Sequence, residues 1–335
     1  MIREPNRFSR SAHASIGGLA KRETGHPPVY SRPNDQAIYN YGHQRTLSVR
    51  KTFVLRIFMY IIIKKHRYNE LESKELKMKH QFSRNELAIG QEGLNLLKNK
   101  TVAVLGVGGV GSFAAEALAR TNIGHIILID KDDVDITNVN RQIHALTSTI
   151  GQSKVTLMEE RIKLINPDCK VTSLHMFYTE ETYKDIFNNY DIDYFIDASD
   201  TIIYKVHLMK ECLERGIELI SSMGAANKTD PTRFEIADIS KTHTDPMAKV
   251  IRNRLKRLGI RKGVKVVFSD ESPIVIREDV KETVGDKNAI NRKGQMPPSS
   301  NAFVPSVVGL ICASYVVNDI LKDIPVRRIK DKGQN

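Results

Sequence analysis

The chain has 335 residues, 41% hydrophobic and 27% charged. This excludes a wholly disordered polypeptide and allows one large domain or two small ones. The net charge is +12, but residues 1–77 hold 15 Lys and Arg against 6 Asp and Glu, so +9 of it sits there, and the charge does not by itself mark a basic nucleic-acid-binding domain.

The first 20 residues lack an apolar h-region, so no signal peptide is visible. Up to Val49 the chain is rich in Arg, Ser, Pro, Asn and His without any period. Such a segment buries too little apolar surface to offset its ordering entropy. The run 54–63 is too short to span a bilayer and carries Arg56. At Met78 the pattern changes. Residues 1–77 are expected to be a disordered basic extension, either a tail or a stretch upstream of the true start. Ser83-Arg84-Asn85-Glu86 has capping-box spacing, with Leu87, Leu94 and Leu97 on the helix behind it.

From Thr101 short apolar runs alternate with helical patterns. Strands are predicted at Thr101–Leu105, His125–Ile129, Tyr194–Asp197 and 218–221, with helices at 112–120, 153–165 and 201–215. This predicts an α/β, Rossmann-like fold: a mostly parallel sheet with helices on both faces and an antiparallel C-terminal extension. A strand is expected over 233–239. Asp245 and Pro246 open a helix as cap and first residue, ending near Gly259. Residues 279–300 read as a mobile loop. The apolar run 302–317 contains Pro305, Gly309 and two serines and falls short of the ~18 residues of a spanning helix. A buried helix or subunit contact is expected there. The domain so outlined covers 78–325, with a basic tail over 326–335.

Gly106-Val107-Gly108-Gly109-Val110-Gly111 follows a strand and opens a helix. Gly106, Gly108, Gly109 and Gly111 allow a sharp turn and close approach to a phosphate at a helix N-terminus. Asp130 ends the next strand, where a carboxylate accepts from ribose hydroxyls. NAD and ATP both remain open at this point. Downstream, Asn138 and Arg141 share a face of a helical turn, and Lys154 starts the next helix. Two cations near a phosphate loop suit a triphosphate better than a dinucleotide. Asp200 follows a strand at the sheet's C-terminal edge and is a natural Mg²⁺ ligand.

Together these residues resemble the adenylating domain of ubiquitin-activating and sulfur-carrier-activating enzymes, over about residues 80–325. The resemblance implies that Asp130 holds ribose, Arg141 and Lys154 hold phosphates, and Asp200 serves magnesium. It also implies a homodimer in which an arginine from the partner's N-terminal helix reaches the triphosphate. Arg84 is the nearest match, and with Arg141, Lys154 and Asp200 it completes the expected catalytic set.

A finer resemblance is to the tRNA threonylcarbamoyladenosine dehydratases. It is carried by Asn138-Val139-Asn140-Arg141-Gln142-Ile143-His144, Ile165-Asn166-Pro167, Ala237-Asp238, Lys241-Thr242, Asp245-Pro246 and Val266-Val267-Phe268-Ser269. It implies ATP-driven activation of a carboxylate on the modified tRNA nucleoside, then ring closure within that modification with loss of water. Proximity drives that closure and no enzyme nucleophile is needed.

Sulfur-carrier enzymes usually carry two CxxC zinc pairs. Here Cys169, Cys212 and Cys312 stand far apart, which argues against zinc and disulfides and for the cytosol. Structural cysteines are expected. The alternatives are an activating enzyme for a sulfur-carrier protein, a nucleotide-sensing module, and an NAD dehydrogenase that lacks any hydride-transfer signature. For tRNA, Arg252, Arg254, Lys256, Arg257, Arg261 and Lys262, with Lys265, form a run free of acids. Phosphate contact is preferred there over a solvated helix face. His144 is expected to be a hydrogen-bonded core residue. Beside His243, catalysis or a monovalent cation is left open.

Overall fold

The structure is a computed structural model that describes residues 79–280 and 297–326, with Met59, Tyr60 and Lys64. The expectations for the 1–77 extension, the run 54–63 and the 326–335 tail fall almost entirely outside the described residues. The chain divides between Lys77 and Met78, and every element below belongs to the second unit.

Helix α1 (Ser83–Lys98) starts where expected but without the expected cap. Its N-cap is Phe82, with φ −101° and ψ 6° and no side-chain cap bond. Ser83 Oγ accepts from the His80 amide at 2.9 Å, and Glu86 Oε2 lies 3.1 Å from His80 Nε2. Burial of Phe82 draws the chain into the helix one residue early, so Ser83 falls inside it. The α1 ladder also breaks at Gly90, with φ 67° and ψ 178°. Leu87 therefore leaves the face it was expected to share. It is 81% exposed, whereas Leu94 and Leu97 are buried.

Strands β1 (Thr101–Leu105), β2 (His125–Ile129), β3 (Lys170–Leu174), β4 (Tyr194–Asp197), β5 (Glu218–Ser222), β6 (Phe234–Asp238) and β7 (Lys265–Ser269) form one sheet in the order β3-β2-β1-β4-β5-β7-β6. All pairings are parallel except β6 with β7, which is antiparallel. Between them run α2 (Gly111–Arg120), α3 (Lys154–Ile165), α4 (Tyr183–Asn189), α5 (Ile202–Arg215) and α6 (Pro246–Arg257), followed by α7 (Phe303–Ile320). The short α4 was not expected. It has 7 residues and no side-chain cap bond.

The strands lack polar alternation because both sheet faces are covered. Val102, Val104, Ile126 and Leu128 pack with α2, α3 and α7 through Leu118, Met158 and Val308. Ala103, Leu105, Ile127 and Ile129 pack with α4, α5 and α6 through Ile186, Leu208 and Ile251.

Helix α7 corrects the length argument above. It has 18 residues and is long and apolar enough to cross a membrane by composition. Instead it lies on α2. A β-carbon at Gly309 would fall 2.2 Å from the Val110 carbonyl oxygen, so the two backbones touch. Phe303 and Leu310 remain about half exposed on its other side.

The loop expected over 279–300 is also ordered at its end. Ser299 N donates to Asn227 Oδ1 at 2.8 Å, and Asn227 N donates back to the Ser299 carbonyl at 2.9 Å. Asn140 Nδ2 holds the Ser300 carbonyl at 3.0 Å. Residues 281–296 lie outside the described residues.

Candidate nucleotide site

The strand order reverses at β1, with β2 on one side and β4 on the other. A crevice opens at the carboxyl ends of such strands. Gly106 leaves β1 at φ +84°, a conformation that disfavours any side chain. A β-carbon there would also sit 2.9 Å from the Ala198 carbonyl of the loop after β4. At Gly111 a β-carbon would lie 1.8 Å from the Gly106 carbonyl oxygen. The turn is therefore tight enough to leave the α2 N-terminus at the cavity wall.

Asp130 is committed to this loop before any ligand. Its Oδ2 accepts from Val107 N at 2.6 Å and its Oδ1 from Asp132 N at 2.9 Å. It shapes the glycine turn and still presents lone pairs to the cavity. Asn138 is buried and closes a capping box with Asp135 around the 3₁₀ turn Ile136–Asn138. Arg141 Nη1 donates to the Thr137 carbonyl at 2.6 Å and to Asn140 Oδ1 at 2.9 Å. Lys154 is 5% exposed, with Nζ 3.0 Å from Asp132 Oδ2. Burial alone would raise the Asp132 carboxyl, but Lys131 and Lys154 together hold it below its ordinary value.

A cavity of about 850 Å³ gathers Gly106, Gly108, Gly109, Asp130, Asn138, Arg141, Lys154 and Asp200. Gly111 stands behind this wall at the start of α2. Asp200 is exposed on the rim and accepts from Thr201 Oγ1 at 3.3 Å. Among the described residues no three His, Cys, Asp or Glu side chains converge as a metal cage. A Mg²⁺ held by one carboxylate with nucleotide phosphates needs no such cage.

A family model described as the ThiF family matches residues 82–331. The chain belongs to this family. It is 72% identical over 255 residues to the tRNA threonylcarbamoyladenosine dehydratase of Bacillus subtilis, covering 76% of this chain and 100% of that one. Two crystal structures of the Escherichia coli tRNA N6-threonylcarbamoyladenosine dehydratase, TcdA, are each 35% identical and each cover 72% of this chain and 94% of that chain. The complex with ATP has a TM-score of 0.64, and the complex with AMP 0.65.

Within this ThiF-family fold, Arg84 is exposed on α1 and does not line the cavity. The basic run lies at the other end of α6. That helix begins at the cavity with Pro246 and Met247 and is about 18 Å long. Arg252 is committed to Thr242, whose carbonyl accepts from Nη1 at 2.7 Å. Arg254, Lys256, Arg257, Arg261 and Lys262 are exposed. Among the described residues none of these five has an ion-pair partner.

Two buried clusters bring in Asp197, Lys205 and Lys228, which the sequence did not single out. Under the rim, Asp197 and Lys205 are fully buried, with Lys205 Nζ 3.0 Å from Asp197 Oδ2. Ser221 Oγ donates to the same oxygen at 2.7 Å. At the far end of the cavity, Lys228 donates to the Glu271 carbonyl at 2.8 Å and lies 3.8 Å from Asp245 Oδ2. Asp245 in turn caps α6 through Ala248 N at 3.0 Å. Their only sequence signal is a charged residue on an otherwise apolar face or beside a turn.

His144 departs from expectation. It is buried, yet neither ring nitrogen has a partner among the described residues. Burial first, then the charges of Lys154 and Arg161, push it down to about 4. His243 is exposed, with its ring edge-on to Phe268 at 5.2 Å.

All three cysteines are free and buried. Burial pushes the Cys169 thiol up to about 11 and the Cys312 thiol up to about 12, and raises Cys212 as well. A thiolate nucleophile needs the opposite environment. Replacing all three by alanine or serine should leave turnover of the folded protein near that of the parent. Some stability should be lost at each site, because all three side chains belong to the core. A folded cysteine-free protein without activity would instead point to a cysteine that forms a covalent intermediate with the activated carboxyl.

Proposed function

We propose that this chain is an ATP-dependent tRNA threonylcarbamoyladenosine dehydratase. The observation that carries the reading is the cavity itself, where a glycine loop, Arg141, Lys154 and Asp200 converge, in a chain 72% identical to a dehydratase along that protein's whole length. In this reading the glycine loop and the α2 N-terminus receive the phosphates. Asp130 receives the ribose. Arg141 and Lys154 neutralise charge that builds as the substrate carboxylate attacks the α-phosphate and pyrophosphate leaves. The activated carboxyl is then attacked from within the modification, which forms the ring and releases AMP. The enzyme's part in that step is to hold both ends in reach. Asp200 serves Mg²⁺.

The decisive assay is mass spectrometry of nucleosides from threonylcarbamoyladenosine-containing tRNA after incubation with protein and ATP. Loss of one water from that nucleoside, with AMP and pyrophosphate formed, is the expected result. An unchanged nucleoside alongside adenylation of a carrier protein would replace this reading by the sulfur-carrier one.

The quaternary reading belongs to the same proposal. A homodimer would bring Arg84 of one copy to the phosphates of the other and cover the exposed side of α7. The setting is the cytosol.

For tRNA docking we assign the exposed cations of α6 and its exit. Charge reversal at Arg254 and Arg257 should weaken tRNA binding and reduce its salt slope by about one unit per lost phosphate contact. ATP affinity should not change. An unchanged slope would make this stretch a solvated face.

Residues 1–77 lie outside the domain in this reading. A chain beginning at Met78 should keep the melting temperature and ATP affinity of the full chain. A large loss in either would mean the extension packs on the domain.

A further inference from the structure

Along the carboxyl edge of the sheet β2, β1, β4 and β5 lie in that order. Asp130 follows β2, the glycine loop follows β1 and Asp200 follows β4. A nucleotide with its ribose at Asp130 and its phosphates at the glycine loop leaves the β5 side for a second substrate. Lys228 follows β5 and lines the same cavity, with its side chain 1% exposed. Its backbone is held by distant segments. Asn301 Nδ2 donates to the Lys228 carbonyl at 3.0 Å. Glu271 accepts from Thr229 N at 2.9 Å and from Asp230 N at 3.0 Å. Among the described residues only Asn122, Asn227 and Thr244 are non-glycine residues with positive φ. Asn227 precedes Lys228 with φ 57°, and Thr244 precedes Asp245 with φ 56°. That conformation strains a branched residue such as threonine. Strain of this kind persists where the surroundings over-determine it, and it clusters at functional sites.

An ammonium carries three donors. Lys228 spends one on the Glu271 carbonyl at 2.8 Å. Asp245 Oδ2, at 3.8 Å, is beyond hydrogen-bond reach. Among the described residues Nζ makes no second hydrogen bond. Asp245 does not depend on the ammonium either, because its carboxylate accepts from Gly224 N at 3.2 Å and from Ala248 N at 3.0 Å. A buried cation with donors unspent is costly, and a ligand that takes them up offsets the cost. The walls fix the ligand's chemistry. Met223, Ala225, Ala226, Met247 and Pro273 surround the ammonium's end of the cavity. Apolar walls around one cation suit a small aliphatic group with a single negative charge, not a chain of phosphates. The threonyl part of threonylcarbamoyladenosine carries one carboxylate and one methyl.

We infer that the far end of the cavity is the subsite for the threonyl group, and that Lys228 donates to its carboxylate. The inference rests on the dehydratase reading for the identity of the substrate. Lys228 then binds the group that ATP activates, and it selects the modified nucleoside over unmodified adenosine.

The test compares the affinities of the nucleoside threonylcarbamoyladenosine and of its methyl ester, which lacks the charge. Both are titrated into the parent and into Lys228→Gln, whose amide still has a donor for the Glu271 carbonyl. The double variant Lys228→Gln with Asp245→Asn removes both buried charges and serves if the single variant does not fold. ATP affinity and a melting curve are taken on each preparation. The parent should prefer the acid over the ester by about ten- to a hundredfold. In the folded variant that preference should fall to about one while ATP affinity holds. The KM for the modified tRNA should rise by a similar factor. Equal loss of acid and ester affinity would mean a purely structural lysine and overturns the inference. So does a variant that keeps the preference, or a parent that shows none. The dehydratase reading fails separately. If the parent prefers the acid through Lys228 but leaves the modified tRNA unchanged with ATP, that reading falls and the carboxylate subsite stands.

Discussion

Lys154→Ala should lower the rate of AMP formation by about 10²- to 10³-fold while leaving the fold intact. Lys154 enters the cavity wall from the first turn of α3, and its ammonium is nearly shut off from water beside Asp132. A charge in so dry a place acts more strongly on a developing phosphate charge than a solvated one. In the proposed reaction its effect is largest when pyrophosphate begins to leave, because negative charge then accumulates on the departing oxygens. The loss should therefore appear mainly in kcat rather than in ATP affinity. The fold should survive because Asp132 keeps Lys131, whose Nζ lies 2.6 Å from Asp132 Oδ1, and its side chain stays 45% exposed. Single-turnover measurement of AMP, with a denaturation curve on the same preparation, checks both halves. Parental turnover would remove Lys154 from the phosphate site.

Lys205→Met should destabilise the protein by about 3–5 kcal/mol. Lys205 and Asp197 are each fully buried. Removing the ammonium strands a carboxylate whose nearest remaining help is two hydroxyls, Ser221 Oγ at 2.7 Å and Ser199 Oγ at 2.8 Å. The hydroxyls do not neutralise charge. The double variant Asp197→Asn with Lys205→Met should recover much of the loss, because the stranded charge is then gone. Urea denaturation of the two single variants and the double variant measures the coupling. Additive losses would mean that the two groups do not act as a pair. Asp197 ends β4 and Ser199 leads to Asp200, so the single variant should also disturb the cavity rim.

Much of the architecture could be read without coordinates. Apolar runs such as His125–Ile129 admit one explanation, a strand covered on both faces. The glycine loop reads equally well, because Gly106 and Gly111 sit where any side chain would collide with backbone. The misreadings share a cause. The box at Ser83, the helix face through Leu87 and the mobility of residues 297–300 were local inferences. Each was overruled by a contact distant in the sequence or by a single backbone torsion. The packing of Phe82, the break at Gly90 and the clasp between Asn227 and Ser299 leave no mark in spacing.

The sequence by itself determined the parallel sheet, the glycine loop and the identity of the charged residues around it. These follow from periodicity and from side-chain size at fixed positions. The tertiary structure alone decided what each charge faces. It set Lys154 on Asp132, spent Arg252 on Thr242 and buried Lys205 against Asp197. It also left Gln142 Oε1 buried without a hydrogen-bond partner among the described residues. Burial and partnership depend on residues tens of positions away, and the strength of a charge depends on both.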